Sequence, residues 1–368
     1  MRRRELKNME WGLLVVAIIL SIIGIVALFS ATQETEYDEF KKQIIWFAVS
    51  LIVMVIVMLT NYETLVKLSP IFYGIFLILL VAVLFTKPVN GATSWFDIGG
   101  FSFQPSEFAK VAVILFLAFI ISKIQERYVE DINKPSRLLI IFVAVAIPLL
   151  LIIKQPDYGT AAAFLVATAL MLVAAGIDKR YIISIILLII VSVPLLYNFV
   201  LPEHAKTRID IFLNPESDPR GAGYNIIQSK LAIGAGGLTG MGFLKGNQTQ
   251  LGFLYPKTTD FIFAVIGEEL GFVVSGVVII MYIFFINKCI YIAKTAKDEL
   301  GSLIATGIAG VFLFHMIENI GMVMGLLPIT GVPLPFISYG GSSLITNFIC
   351  VGLLANISSK RQKTIFVK

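Results

Sequence analysis

Apolar runs of about twenty residues, separated by short polar connections, fill most of this chain. A bilayer core of roughly 30 Å needs about 20 helical residues at a rise of 1.5 Å per residue. The pattern therefore predicts about ten transmembrane helices. They lie at residues 11–31, 43–60, 68–86, 107–123, 137–153, 159–177, 181–201, 260–287, 302–326 and 340–357.

One long polar segment, residues about 202–258, separates the seventh predicted helix from the eighth. It is the longest polar connection in the sequence, and we expect no soluble appendage beside the helices and loops. We expect residues 1–368 to form a single all-α transmembrane domain with this one large extracellular loop.

Composition supports the membrane assignment. The chain is 57% hydrophobic and 14% charged, whereas soluble domains are about 45–50% apolar and about 25% charged. Such a chain has too little polar surface to cover a globule in water, so its excess apolar surface must face lipid.

Basic residues set the orientation. With the amino terminus inside, the segments predicted to be cytoplasmic carry eighteen Lys and Arg, and the short outer segments carry five. This bias follows the positive-inside rule and predicts cytoplasmic termini and an even number of spans. Because the basic residues flank apolar runs, they indicate topology and give no support for nucleic-acid binding.

The long loop is basic and rich in glycine, most densely at Ile233-Gly-Ala-Gly-Gly-Leu-Thr-Gly-Met-Gly. Glycine allows backbone N–H groups to turn toward an anion. A phosphate or pyrophosphate site is one interpretation, and glycines required by tight turns are the other.

Asp260 lies where the loop re-enters the membrane, beside Phe261 and Phe263. Partial burial there would raise the pKa of its carboxyl group toward that of a general base. The alternative is an N-cap of the following helix, for which Asp is favoured.

The fourth predicted helix begins with Ser106, a candidate cap, and carries Glu107 and Lys110 on one face. They are either a buried ion pair or a phosphate-binding lysine with a carboxylate that positions it. Asp157 precedes the sixth helix and is either its cap or a partner of Lys110 or Lys154.

Four further ionisable residues fall inside predicted helices. We interpret Glu268 and Glu269 mainly as structural hydrogen-bonding or ion-pairing groups, about 12–14 Å along one continuous helix from Asp260. His315 and Glu318 are spaced as a pair of interacting core residues, with a proton relay or half of a metal site as the alternatives.

The last outer segment, Leu327 to Ser343, contains three prolines in eight residues, which exclude a regular helix. Irregular backbone at membrane depth is tolerated only where it lines a protein cavity or water. We expect this segment to form a wall of the site, with Ser338 among the substrate contacts, or else a rigid turn.

Several sequence blocks resemble the SEDS family, named for shape, elongation, division and sporulation. The blocks are Phe212-Leu-Asn-Pro-Glu-Ser-Asp-Pro-Arg-Gly-Ala-Gly-Tyr-Asn-Ile-Ile-Gln-Ser, Thr259-Asp-Phe-Ile-Phe-Ala-Val-Ile-Gly-Glu-Glu-Leu-Gly, Pro333-Leu-Pro-Phe-Ile-Ser-Tyr-Gly-Gly-Ser, Gln104-Pro-Ser-Glu and Gln155-Pro-Asp-Tyr-Gly-Thr. The similarity covers essentially the whole chain. The short tails and the Thr-Asp-Phe-Ile-Phe form are most similar to the elongation members, and the division and sporulation members stay open.

The resemblance implies a peptidoglycan glycosyltransferase that polymerises lipid II outside the bacterial cytoplasmic membrane. It implies a class B penicillin-binding protein transpeptidase and the elongation machinery as partners. The family's essential acidic residue falls on Asp260, and its fourth-span acid–lysine pair falls on Glu107 and Lys110. Its loop residues fall on Arg208, Gln228, Ser229 and Lys257.

The implied reaction needs a base for the attacking hydroxyl and positive charge for the departing lipid pyrophosphate. Asp260 suits the first role. Lys110, Arg208, Lys257, glycine N–H groups or a divalent cation such as Mg²⁺ or Mn²⁺ suit the second. A lipid II flippase and a membrane scaffold without catalysis are the alternatives to a transferase.

Overall fold

A computed structural model describes residues 8–88, 92–99, 101–126, 128–184, 187, 203–221 and 223–361. This part of the chain is almost entirely α-helical. Its helices are α1 (Trp11–Ala31), α2 (Asp38–Leu59), α3 (Tyr62–Val83), α4 (Pro105–Gln125), α5 (Pro135–Ile153), α6 (Tyr158–Ala174), α7 (Glu203–Leu213), α8 (Tyr224–Gly236), α9 (Asn247–Gln250), α10 (Ile262–Thr295), α11 (Glu299–Val323) and α12 (Gly341–Ser359). Short 3₁₀ turns lie at Gln33–Thr35, Val129–Asn133 and Pro215–Ser217.

Nine of the ten predicted spans coincide with helices, and most of the seventh, 181–201, lies outside the described residues. Among the described residues, seven helices are long and apolar enough to cross a membrane: α1, α2, α3, α5, α10, α11 and α12. The apolar helix α6 is shorter, with 17 residues. The prediction of a helical, multi-pass membrane protein is confirmed.

The central helices are α11 and α12. Of the most apolar stretch of α12, 83% is buried inside the protein, against 17% for α2 and 22% for α3. The outer helices therefore present apolar side chains to lipid. Polar groups on the central helices can satisfy their hydrogen bonds only with protein partners or trapped water.

Ion pairs tie the first and last helices together at one end of the bundle. Glu10, just before α1, accepts from Lys288 at 3.1 Å and from Arg361 at 2.5 Å, just beyond α12. The start of α1 and the end of α12 thus lie at the same end, which is what an even number of spans predicts.

A small hairpin precedes α4. Strands β1 (Phe96–Ile98) and β2 (Phe101–Phe103) pair antiparallel, with Phe96 opposite Phe103. Three-residue strands are too short to leave a periodic signal, so the hairpin could not be predicted from the sequence. Phe103 packs against Phe108, with ring centroids 5.1 Å apart, so the hairpin sits on the start of α4.

The fold differs from the predicted continuous eighth helix. Gly271 adopts φ 77° and ψ −175°, which breaks α10 into Ile262–Leu270 and a second part that begins at Phe272. The second part alone, roughly 36 Å at 1.5 Å per residue, is long enough to cross the bilayer.

The glycine-dense segment of the long loop supplies the hydrogen bonds that this break would leave open. The N–H groups of Met241 and Gly242 donate to the carbonyls of Glu268 and Glu269 at 2.9 and 3.1 Å. In return, the N–H of Phe272 donates to the carbonyl of Gly237 at 2.9 Å. The break is therefore stabilised by reciprocal backbone pairing with the loop.

This packing explains the glycines better than an anion site does. A Cβ on Gly236 would overlap the carbonyl oxygen of Gly267, and a Cβ on Gly240 would overlap that of Glu269. Gly240 also has a φ of +83°. The alternative of glycines required by close backbone approach is the one that the geometry favours.

Glu268 and Glu269 have structural hydrogen bonds, as predicted. Glu268 accepts from the N–H groups of Gln248 and Thr249 at 2.7 and 3.0 Å, and so holds the short helix α9. Glu269 accepts from the hydroxyl of Ser30 at 2.7 Å, which links α10 to α1. These buried carboxylates fasten the long loop to the bundle.

Two glycines of α8 provide a matched test of this packing. We expect Gly236→Ala to lower the melting temperature, because the new methyl group overlaps backbone; an overpacking cost of about 1–3 kcal/mol corresponds to a few degrees. Gly234→Ala has no atom within 4 Å of its Cβ and should be neutral or slightly stabilising. Thermal unfolding of the detergent-purified variants measures both. Equal melting temperatures would contradict the close approach.

Candidate active site

The proline-rich segment between α11 and α12, residues 327–340, is seated deep in the bundle. Phe336 has a φ of +69°, a strained conformation for a bulky residue. It is 1% exposed and lies against Phe285, Phe312 and Phe348, with ring centroids 5.4–5.5 Å away. The hydroxyl of Tyr282 donates to the carbonyl of Pro335. Aromatic packing thus holds the segment in place.

Asp260 lies at the junction of this segment with the start of α10. The helix begins at Ile262 with Phe261 as its N-cap residue, so Asp260 lies one position outside the cap. The expectation that Asp260 caps α10 is wrong. The residue is half-buried, and a Cβ on the exposed Gly331 would lie 3.5 Å from Asp260 Oδ2.

The backbone around Asp260 is fixed from two sides. Asn319 Nδ2 donates to the Asp260 carbonyl oxygen at 2.9 Å and to that of Val332 at 2.8 Å. Ser338 Oγ donates to the carbonyl of Thr259 at 2.6 Å and accepts from the N–H of Leu334 at 2.8 Å. Ser338 therefore has a positioning contact, and its hydroxyl is buried.

Glu107 and Lys110 form a buried ion pair, with 2.9 Å between Lys110 Nζ and Glu107 Oε1. The side chains are 1% and 5% exposed. Thr346 Oγ1 on α12 donates to the other carboxylate oxygen at 3.2 Å. This arrangement confirms the predicted ion pair. While the pair is formed, Lys110 has little exposed surface with which to bind a phosphate.

His315 extends the ion pair to the proline-rich segment. Its Nε2 lies 3.1 Å from Lys110 Nζ, and its Nδ1 lies 3.2 Å from the Pro333 carbonyl. The carbonyl can only accept, so Nδ1 carries the proton, and Nε2 of the neutral ring accepts from the lysine. The chain Thr346–Glu107–Lys110–His315 thus joins α12, α4 and α11.

The predicted pairing of His315 with Glu318 is wrong. His315 contacts Lys110 and the Pro333 carbonyl, while Glu318 accepts from Thr330 Oγ1 at 2.8 Å. Both residues share one face of α11 with Asn319, and that polar face lies against the proline-rich segment. The residues are structural partners of the loop and are not a couple of their own.

Asp157 caps α6, accepting from the N–H of Thr160 at 3.1 Å. Its second oxygen accepts from Gln104 at 3.2 Å and lies 3.5 Å from Ser106 Oγ. The cap is confirmed, and the hydrogen bonds of Asp157 are to these residues, while Lys110 acts on its carboxylate through charge. Ser106 lies inside α4, whose N-cap residue is Gln104, so the expectation that Ser106 caps α4 is wrong.

The electrostatics of Asp157 follow from its surroundings. Burial of the carboxyl group raises its pKa above the ordinary Asp value, and the hydrogen bonds from Thr160 lower it. The charge of Glu107 raises the pKa further, and that of Lys110 lowers it. The start of α6 is also near Asp260, because a Cβ on Gly159 would overlap Val332. Asp157, Asp260 and the Glu107–Lys110 pair are therefore arranged around the same proline-rich segment.

The site residues predicted in the long loop are less closely grouped than Asp157, Asp260 and the Glu107–Lys110 pair. Lys257 Nζ donates to Glu34 at 3.1 Å and to the Thr249 carbonyl at 2.8 Å. Ser229 is buried on α8 and donates to the Val323 carbonyl at 2.6 Å, while the neighbouring Gln228 is half-buried. Arg208 lies in α7, but its side chain is outside the described residues.

Within the described part of the chain, no three His, Cys, Asp or Glu side chains gather closely enough to hold a metal ion.

Sequence reasoning missed the contacts that cross the bundle. The Lys110–His315 pair joins residues 205 positions apart, and Gln43 of α2 bridges the Ser338 carbonyl and the Gly340 N–H, both at 3.2 Å. Asn319 was also missed. Its spacing of four residues from His315, on an otherwise apolar helix, was the available signal.

Nearly the whole chain is similar to known proteins. A family model described as cell cycle protein, which groups FtsW, RodA and SpoVE, matches residues 10–363. The chain is 37% identical to the peptidoglycan glycosyltransferase MrdB of Escherichia coli K12 over 358 residues, covering 96% of this chain and 95% of the relative. It is 39% identical to the probable peptidoglycan glycosyltransferase FtsW of Trichlorobacter lovleyi, covering 96% and 94%.

The fold is similar to that of a solved structure. A chain from a structure on the coordination of polymerization and crosslinking by a peptidoglycan synthase complex superposes with a TM-score of 0.81. The two sequences are 27% identical, and the match covers 96% of this chain and 99% of the other.

The buried ion pair gives a stability prediction. Lys110→Met leaves Glu107 buried without its cation, which should cost about 3–5 kcal/mol, or roughly 10 °C in melting temperature. Glu107→Gln with Lys110→Met removes both charges and should restore most of that loss. Thermal unfolding measures the cycle.

Lys42 offers a control, because its ion pair with Asp38 at 2.7 Å is solvent-exposed. Lys42→Met should cost less than about 1 kcal/mol. If Glu107→Gln/Lys110→Met were as unstable as Lys110→Met alone, the assignment of Glu107 and Lys110 as a buried ion pair would be contradicted.

Proposed function

This chain belongs to the SEDS family of FtsW, RodA and SpoVE cell cycle proteins, and from that premise we propose that it is a peptidoglycan glycosyltransferase. In this proposal it polymerises lipid II into glycan strands for cell elongation and shape. The curated names of relatives that match nearly its whole length support the activity.

We place the reaction on the outer face of the bacterial cytoplasmic membrane. The excess of basic residues on the segments assigned to the cytoplasm supports this orientation. With that orientation, the segment before α10, the proline-rich segment and the start of α4 lie together at the outer end of the bundle.

The observation that supports the proposed activity most directly is the placement of Asp260. Its carboxylate is half-buried beside an exposed glycine, and its main chain is fixed by hydrogen bonds from Asn319 and, through Thr259, from Ser338. A rigidly held carboxylate at an accessible surface can accept a proton from a bound hydroxyl.

In the proposed reaction, the acceptor sugar hydroxyl attacks the anomeric carbon of a second, lipid-linked sugar. The new carbon–oxygen bond forms as the bond to the lipid pyrophosphate breaks, and the hydroxyl proton passes to Asp260. A single displacement of this kind inverts the anomeric centre. The lipid tails stay in the bilayer, so the substrates must enter sideways between helices.

The departing pyrophosphate needs positive charge. Lys257 is three residues from the base, and its ammonium lies between Glu34 and the Thr249 carbonyl with 14% of the side chain exposed. We assign Lys257 and Arg208 to the pyrophosphate, together with Gln228. The resemblance also implied Ser229, but its buried hydroxyl donates to the Val323 carbonyl and holds α8 in place. The buried pair of Glu107 and Lys110, with Asp157, then shapes the acceptor side of the site.

The double variant of Glu107 and Lys110 separates structure from binding. If Lys110 contacts substrate, Glu107→Gln/Lys110→Met regains its melting temperature and stays inactive. If Lys110 is structural only, both properties recover together.

A transpeptidase partner fits this function. The structurally similar chain comes from a complex in which polymerization and crosslinking are coordinated. We propose that a class B penicillin-binding protein and the elongation machinery work with this protein, because glycan strands must be crosslinked after they are polymerised.

The base assignment predicts the behaviour of Asp260→Asn. Loss of a general base typically lowers the rate about 10²–10⁴-fold, so we expect normal membrane insertion and a loss of at least about 100-fold in glycan yield from lipid II. Asp97→Asn, an exposed carboxylate on β1, is the control and should keep full activity.

Gel analysis of polymer made by purified protein gives the yield. Wild-type yield from Asp260→Asn would overturn the role of Asp260. A protein that moves labelled lipid II across liposomes without polymerising it would be a flippase. Full support of growth by Asp260→Ala would indicate a scaffold.

The elongation role predicts the shape of depleted cells. We expect depletion in the source bacterium to make cells round and wide, since side-wall synthesis would stop while division continues. Microscopy during depletion measures this. Filamentous cells would assign the protein to division, and a defect confined to spores would assign it to sporulation.

A further inference from the structure

Asn319 is the side chain that directly joins the Asp260 main chain to the proline-rich segment. It is 0% exposed, and its Nδ2 donates to two carbonyl oxygens, 2.9 Å away at Asp260 and 2.8 Å away at Val332. The two carbonyls belong to segments that are 72 positions apart in the chain. One amide group therefore fastens the residue of the proposed base to the wall of its site.

The orientation of this amide is forced by its partners. Both partners are carbonyl oxygens, which can only accept, so the nitrogen must face them. Asn319 Oδ1 is buried and has no hydrogen-bond partner among the described residues. Burying an unpaired acceptor is unfavourable. The structural role of Asn319 therefore comes from the two N–H donors on Nδ2, which are retained although the unpaired Oδ1 is unfavourable.

The neighbouring contacts on α11 do not duplicate this one. His315 links the Pro333 carbonyl to Lys110, and Glu318 accepts from the Thr330 hydroxyl, so these contacts hold the proline-rich segment and the α4 ion pair. Ser338 holds the carbonyl of Thr259, one residue before Asp260. Asp260 also lies outside the N-cap of α10, so the regular helix does not fix its orientation.

We infer that Asn319 is a positioning residue for the reaction: its amide fixes the Asp260 carbonyl against Val332 and so aims the Asp260 carboxylate at the acceptor hydroxyl. The inference rests on the proposed role of Asp260 as the base. A shift of about 1 Å in a reacting group can cost on the order of 100-fold in rate. Loss of the amide donors should therefore lower kcat while leaving the KM for lipid II nearly unchanged.

Asn319→Asp is the sharpest test, because it keeps the shape and removes the donors. An ionised carboxylate would face two carbonyl oxygens without a proton to share, whereas a protonated one donates a single hydrogen bond. We expect kcat to fall about 10–100-fold near neutral pH. The ratio of variant to wild-type kcat should rise as the pH is lowered from about 8 to about 6. Dividing by the wild-type value removes the pH dependence that the two proteins share.

Asn356→Asp is the matched control. Asn356 is 3% exposed and also donates to a backbone carbonyl, that of Met58 at 2.7 Å. It lies at the end of α12 remote from Gly341, where the helix begins beside the site. This variant should lose stability without a specific fall in kcat, and its ratio to wild type should stay flat with pH.

The outcomes separate this inference from the proposed function. A flat ratio for Asn319→Asp, with activity lost only in proportion to melting temperature as in Asn356→Asp, would overturn the positioning role while an inactive Asp260→Asn still supports the base. An active Asp260→Asn would overturn the proposed function itself. If Asn319→Asp cannot be purified, Asn319→Ala removes the same donors without adding charge, and an unchanged kcat in that variant would overturn the positioning role.

Discussion

The structure depends on one constraint: irregular backbone inside a membrane protein must find its hydrogen-bond partners in the protein or in water held by it. The proline-rich segment, 327–340, cannot form a helix, and its carbonyls and N–H groups lie against the central helices. The polar face of α11 meets this demand, because His315 and Asn319 reach successive carbonyls at Pro333 and Val332. The polar residues on this face of α11 therefore provide hydrogen bonds for the proline-rich segment.

The same constraint brings the candidate site together. Once the segment is fixed, Gly331 lies by the carboxylate of Asp260, and Val332 packs on the start of α6 next to Asp157. Through His315, the segment is also connected to the ion pair of α4. The site is therefore built on backbone that the sequence would otherwise mark as a connection between two spans.

The helices themselves could be predicted from the sequence, because twenty apolar residues have few alternatives in a bilayer. The break at Gly271 could not, since a single glycine inside an apolar run is compatible with a continuous helix. The break is visible only when the loop backbone at Gly237 and Met241 is placed against it. The two interpretations of the glycines in that loop could not be separated from the sequence either, because glycine density alone does not distinguish a ligand from a neighbouring backbone.

For the candidate site, local relations were predictable and distant ones were not. The pair of Glu107 and Lys110 follows from helical spacing, and the cap at Asp157 follows from residue preference. The partner of His315 does not, because the contact depends on how α4 and α11 cross. The sequence spacing favoured Glu318, three residues away, as the partner of His315. In the structure Glu318 instead accepts from Thr330 of the proline-rich segment.

The ion pair has a mechanical consequence. Glu107 and Lys110 belong to one helix, while the other partners of the pair, His315 and Thr346, belong to α11 and α12. If α4 separated from those helices, the ion pair would lose only its contacts with the neutral groups of His315 and Thr346. Glu107 and Lys110 would stay paired and move together with α4. A lateral gate at this seam could therefore open toward lipid without exposing an isolated ion, whose desolvation would otherwise oppose the movement.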